Sequence, residues 1–185
     1  GPGVLAPIRQ AEGDADVAVI ENVLATLAAN GDSPTGDAYD FSMLAAFRGP
    51  SIAQAIVPVD RGIESFEQIA EEEIPVRIAT FERAQIVTPM ALDILAEYGI
   101  TEDELESWGG RIIHTSIAEG FRMINDGVAD MWLTGGSFFP HHSAVELGTK
   151  EAFRLLPISE EVAETVAEKY GATVGEAPAG IYDGA

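Results

Sequence analysis

The stretch Leu155-Leu156-Pro157-Ile158-Ser159-Glu160-Glu161, continued by Glu168-Lys169-Tyr170-Gly171, sets the pattern for the chain. An apolar run stops at a proline. A serine then caps a helix whose first turn is acidic, and a glycine closes that helix. This is a strand followed by a capped helix. The segment Ala177-Pro178-Ala179-Gly180-Ile181-Tyr182-Asp183-Gly184 reads as an ordered loop after it.

Working outward, the same grammar recurs. Residues 129–134 read as a strand ending in Gly135-Gly136, after a helix over 117–125 closed by Gly127. Residues 111–115 form another strand, and Thr101-Glu102-Asp103-Glu104 is a capping signature for a helix before it. Apolar residues at helical spacing over 88–98 stop at Gly99, after a strand over 75–79. Ser65 caps a helix over 66–72. Nearer the N-terminus, residues 8–16 hold a short helix closed by Gly13, and Val17-Ala18-Val19-Ile20 reads as a strand buried on both faces. Glu21-Asn22 lies at its carboxyl end, a helix follows over 23–30, and residues 31–40 form a loop. Residues 41–47 and 52–59 read as two more strands. Alternating strands and helices with short connections predict an α/β fold with a largely parallel sheet covered on both faces. In such sheets ligands bind beyond the carboxyl ends of the strands.

The chain has 185 residues, enough for a sizeable core in one domain or two small lobes. Acidic residues number 31 against 10 basic ones, a net charge of -21. Such a field repels nucleic acid and anionic lipid, so neither is an expected partner. It serves solubility, or a high-salt habitat in which screening tolerates dense surface charge; the scarcity of lysine (Lys150 and Lys169 alone) favours the second. The absence of cysteine removes disulfides, thiolate zinc sites and cysteine nucleophiles. No apolar run is long enough to span a membrane, and the first residues, Gly1-Pro2-Gly3, carry no signal-peptide pattern.

No catalytic or cofactor motif is present. His141-His142 and His114 lack ligand spacing, and neighbouring histidines diverge, so no metal is expected. Gly135-Gly136-Ser137-Phe138-Phe139 lacks the second glycine of a hydrolase elbow. There is no glycine-rich phosphate loop. What remains is a set of strand ends: Glu21-Asn22, residues 80–85, and Gly135-Gly136-Ser137. Arg83 precedes a helix start. It either clamps a carboxylate there or pairs on the surface with Glu82 or another neighbour.

The closing pattern "LLPIS…KY…P.AG.Y.G", the "GDADVAVI" turn, Gly62-Ile63-Glu64-Ser65-Phe66-Glu67-Gln68-Ile69 and "DGVADMWLTGG" together resemble the TAXI branch of TRAP-transporter solute receptors. The resemblance implies a type II periplasmic-binding-protein fold, with two α/β lobes joined by two crossing strands. Lobe one would combine 1–57 with 136–185 and lobe two would span 58–135. The first lobe would be incomplete, without the family's N-terminal strand and C-terminal helices. It also implies a non-enzymatic, extracytoplasmic receptor that captures a small carboxylate, a glutamate-like amino acid or a dicarboxylate, between its lobes and delivers it to TRAP membrane subunits. No cofactor is implied. On that likeness Arg83 would pair with the ligand carboxylate, and Asn22 and Thr80 would hydrogen-bond it. Glu21 stands beside Asn22 at the matching strand end, Gly135-Gly136 would admit close backbone approach, and Phe81 or Phe138 would wall the apolar part. The chain departs from the family at Thr80-Phe81-Glu82-Arg83-Ala84-Gln85, where a glycine-rich loop is usual; this implies a changed ligand or lost binding. The alternative is a small enzyme or ligand-sensing module on the same fold.

Overall fold

The computed structural model describes residues 6–32, 36–45, 51–83, 85–177 and 180–182. The elements in chain order are α1 (Ala6–Ala11), α2 (Asn22–Asn30), β1 (Ser51–Pro58), α3 (Phe66–Glu71), β2 (Arg77–Thr80), α4 (Val87–Glu97), α5 (Glu102–Ser107), β3 (Arg111–His114), α6 (Ile117–Asn125), β4 (Met131–Phe138), α7 (His142–Gly148), β5 (Phe153–Leu155) and α8 (Glu160–Tyr170). They divide into two compact units. One comprises residues 1–48 and 164–174, the other 49–163 and 175–185.

The second unit holds the sheet, in the order β3-β2-β4-β1-β5. β2 runs parallel to β3 and to β4, whereas β1 is antiparallel to both β4 and β5. Four of the five strands therefore point one way, and the mostly parallel α/β fold expected from the sequence is what forms. Sequence pattern explains the elements. Ser65 accepts from the Gln68 amide at the start of α3, Thr101 and Glu104 form a reciprocal capping box on α5, and Ser116 accepts from the Glu119 amide on α6. Gly99 and Gly127 end their helices with φ of 78° and 67°.

Helices cover both faces of the sheet. On one face α6 approaches so closely that a Cβ on Gly120 would lie 2.5 Å from Trp132 Cε3. On the other face, α4 sits over Gly135, where a Cβ would lie 2.5 Å from Met90 Cβ and 2.6 Å from the Val87 carbonyl oxygen. The core on the α6 side gathers Ile56, Ala79, Phe121, Ile124, Trp132, Phe139, Phe153 and Tyr182, all buried. The final aspartate of "DGVAD" holds strands together. Asp130 accepts from the Arg77 amide at 2.9 Å, from its Nε at 2.8 Å and from its Nη2 at 2.5 Å. It thereby pins the start of β4 to the start of β2.

The closing signature is likewise built into the fold. The Leu156 amide donates to the Ala55 carbonyl at 2.9 Å, and the Ser159 amide donates to the Tyr98 hydroxyl at 2.7 Å. The Tyr182 hydroxyl donates to Gln54 Oε1 at 2.6 Å and accepts from the His141 amide at 2.9 Å, while its ring meets Phe139 and Phe153 edge-on.

Three readings of strands are corrected. Val17-Ala18-Val19-Ile20 is not a strand: Val17 is 63% exposed and Val19 81% exposed. A four-residue apolar run becomes a doubly buried strand only where neighbours pair with both its edges, and no strand ladder among the described residues includes it. Residues 41–45 are also irregular, with Met43 81% and Leu44 79% exposed; residues 46–47 of that expected strand lie outside the described residues. Finally, β4 does not end at Gly135-Gly136. It runs on to Phe138 because Ser51 and Ile52 of β1 pair with Phe138 and Ser137.

Candidate functional site

β2 connects through α4 and α5 to β3 on one side, and β3 returns through α6 to β4 on the other side of β2. The connections thus diverge between β2 and β4, the switch point where an open α/β sheet leaves a crevice beyond its strand ends. The carboxyl ends of β2 and β3 are Thr80 and His114, and β4 runs on past them through Thr134–Ser137 to Phe138.

Thr80 closes β2 and is 1% exposed; its hydroxyl is buried without a hydrogen-bond partner among the described residues. An unpaired buried hydroxyl is uncommon, because its desolvation goes uncompensated. Phe81 follows, half-buried, with its ring edge-on to Trp132 at 5.0 Å between centroids. The loop after it is tied down by its own carbonyls. Thr88 Oγ1 of α4 donates to the carbonyl of Glu82 at 2.8 Å, and His114 Nδ1 lies 2.9 Å from the carbonyl of Phe81. A carbonyl only accepts, so Nδ1 carries the hydrogen in that contact.

Arg83 is 65% exposed and makes a two-pronged pair with Glu102, at 3.2 Å through Nη1 and 2.7 Å through Nη2. The neighbour it chooses is therefore on α5, not Glu82. Glu102 Oε1 lies in turn 3.5 Å from His114 Nε2, an ion-pair distance at which the imidazole makes no hydrogen bond. Arg83 above all, with His114 adding to it against the opposing effect of burial, holds the Glu102 carboxyl below the usual carboxylate range. Sequence reasoning missed Glu102. Its capping signature located α5, but only the packing of α5 beside the β2–α4 loop brings Glu102 to Arg83.

The glycine pair serves packing. Gly135 gives room to α4, and a Cβ on Gly136 would lie 3.2 Å from Ser51 Oγ and 3.3 Å from Val87 Cγ1. The structure thus gathers Thr80, Phe81 and Arg83 with His114 and Glu102 at the ends of β2 and β3 (the Phe138 side chain lies outside the described residues). Glu21 and Asn22 belong to the other unit. Glu21 precedes α2 in an extended conformation without capping it, and Asn22 Nδ2 donates to the Gly171 carbonyl at 3.5 Å. Among the described residues no group of three or more His, Asp or Glu is arranged to hold a metal ion, and no helix is long and apolar enough to cross a membrane. His141 caps α7, its Nδ1 accepting from the Ser143 amide at 3.2 Å.

No protein-family model matches the chain, and no curated protein does. Among solved structures it is similar to the periplasmic aliphatic sulphonate binding protein SsuA from Escherichia coli, with a TM-score of 0.53 at 12% identity over 91% of this chain and 51% of that one. The fold is that of a periplasmic binding protein. The chain also matches the alkanesulfonate-binding protein SsuA from Xanthomonas axonopodis pv. citri bound to MOPS, with a TM-score of 0.49 and 16% identity over 92% of this chain and 55% of that one. A third match is the glycine betaine, L-proline-binding protein ProX from Borrelia burgdorferi, with a TM-score of 0.48 and 12% identity over 86% and 65%. The chain spans about half the length of the two SsuA proteins.

Proposed function

We propose that this chain is the solute-recognition part of an extracytoplasmic receptor of TAXI type, which takes up a small carboxylate for a TRAP transporter and performs no chemistry on it. The observation that carries the reading is the carboxyl end of β2, where an exposed guanidinium, paired with Glu102, stands within three residues of a buried, unpartnered hydroxyl. A guanidinium offers a carboxylate two parallel hydrogen bonds, and a free hydroxyl at the strand end adds a donor. The binding-protein fold and the TAXI-like closing pattern support a receptor for a solute. Phe81, fixed against Trp132, supplies an apolar wall.

A thermal-shift screen of amino acids and dicarboxylates, run at low and high salt, tests this reading. A ligand at a hundred times its dissociation constant adds about 2.7 kcal/mol of stability, and so a clear upward shift. A hit with glutamate or a similar acid is expected. A folded sample that shifts with no carboxylate at either salt refutes the reading.

A further inference from the structure

The paired histidines at the start of α7 have no part in the solute site, yet their geometry depends on charge. His141 Nδ1 accepts from the Ser143 amide at 3.2 Å, and an imidazole nitrogen accepts only while it carries no hydrogen. The cap on α7 therefore requires the neutral ring, with its hydrogen on Nε2. That ring lies nearly parallel to Phe121 of α6, with 6.4 Å between centroids and 8° between planes, and 4.3 Å from the ring of His142. An apolar face on one side and a second imidazole on the other both oppose a positive charge on it. Among the described residues, the titratable groups that face it are His142 on α7 and Tyr182, while α6 presents Phe121. Beyond His142 on α7 lies Glu146, whose carboxyl is held below the usual range by Lys150 above all and only weakly by His142.

The backbone of the same residue is tied to the sheet. The His141 amide donates to the Tyr182 hydroxyl at 2.9 Å, that hydroxyl donates to Gln54 Oε1 at 2.6 Å, and Gln54 Nε2 donates to Ser137 Oγ at 2.8 Å. Gln54 is buried, beside the register shift between Ile52 and Gln54 in the β1–β4 ladder. One line of hydrogen bonds thus runs from the cap of α7 through Tyr182 to the seam between β1 and β4. A proton arriving at Nδ1 turns the cap's acceptor into a donor facing the Ser143 amide, so residue 141 must move, and its own amide moves with it. We propose that His141 is an acid-operated latch, whose protonation at Nδ1 frees the start of α7 and releases Tyr182 from the β1–β4 seam while the rest of the unit stays folded. The latch needs no solute and stands apart from the receptor reading. Burial, and secondarily His142, lower the proton affinity of the closed ring, whereas the opened ring titrates at about 6.5. The latch is therefore fully held above that pH and loosens as pH falls toward the lowered value.

The test is amide hydrogen exchange read by mass spectrometry at pH 7.5 and 5.5, with rates corrected for the intrinsic effect of pH, on the wild type, His141→Asn and His142→Gln. In the wild type, peptides covering the start of α7 and Tyr182 should lose protection by about five- to tenfold at the lower pH, the span one linked proton allows, while α3 and α5 keep theirs. Asparagine offers a capping oxygen that does not titrate, so His141→Asn should lose none. His142→Gln keeps the latch residue and should still show the local loss, which decides the matter if His141→Asn does not fold. Protection unchanged in the wild type, a loss spread evenly over the unit, an equal loss in His141→Asn, or a loss abolished in His142→Gln overturns the latch.

Discussion

Replacing Tyr182 with phenylalanine removes one buried oxygen and leaves the ring in place against Phe139 and Phe153. That oxygen donates to Gln54 Oε1 at 2.6 Å and accepts from the His141 amide at 2.9 Å. The substitution thus leaves a backbone N–H ahead of α7 without its acceptor and costs the Gln54 carbonyl one donor. Each buried bond contributes about 1 kcal/mol net, and stranding a buried partner raises the loss, so about 1–3 kcal/mol is expected in total. Tyr182→Ala also removes the ring, for a loss of about 3–5 kcal/mol by analogy with other buried aromatics. Urea unfolding followed by tryptophan fluorescence reads this unit specifically, since both tryptophans, Trp108 and Trp132, lie in it. With a slope of about 2 kcal/mol per molar urea, Tyr182→Phe should lower the midpoint by about 0.5–1.5 M at unchanged slope. A midpoint that does not move would show that the closing signature is not held by this hydroxyl.

Three further outcomes follow from the packing and charge. Gly120→Ala gains helix propensity of about 1 kcal/mol but drives a methyl group into Trp132, which is itself buried. Overpacking of about 1–3 kcal/mol should dominate, with a lower urea midpoint and a shifted tryptophan emission; a stabilised variant would contradict the fit of α6 on the sheet. Burial, and secondarily the charge of His142, holds the His141 imidazole below its ordinary pKa of 6.5. The native state therefore binds fewer protons than the unfolded chain below about pH 6.5, and stability that is complete above that pH declines as pH falls toward the lowered folded value. Protonating Nδ1 also removes the cap on α7. His141→Asn keeps a capping acceptor and should flatten the decline, measured as melting temperature between pH 7.5 and 5.5; an unchanged slope in the variant rules His141 out as its source. Lastly, raising KCl from 0.05 to 1 M shortens the screening length to about 3 Å and should raise the melting temperature of a chain with net charge -21, whereas a flat or falling trend would show that self-repulsion is not a significant cost.

Much of the sheet-bearing unit was legible because its signals are local. Caps at Ser65, Thr101 and Ser116, positive-φ glycines after the latter two helices (Gly109 and Gly127), and short apolar runs between them fix the element order directly. The direction of β1 was less legible, since an antiparallel strand in a parallel sheet is set by where the chain crosses. The runs at 17–20 and 41–45 have strand composition, but composition does not supply a pairing partner. At the candidate site, Thr80, Phe81 and Arg83 were readable as strand-end residues. Glu102 was not, because it lies 19 residues from Arg83 and only tertiary packing joins them. Gly135 was read as an opening for a ligand, yet what fills the missing Cβ in the structure is α4, a helix–strand contact with no mark in the sequence.

The central claim is that Arg83 receives a solute carboxylate. Its most direct test is to titrate L-glutamate calorimetrically into the wild-type chain and into Arg83→Ala. The account predicts saturable one-to-one binding to the wild type and at least about a tenfold loss in Arg83→Ala, the cost of removing a charged two-pronged partner. Equal affinity in the two proteins, or no saturable heat with a folded wild type, contradicts it.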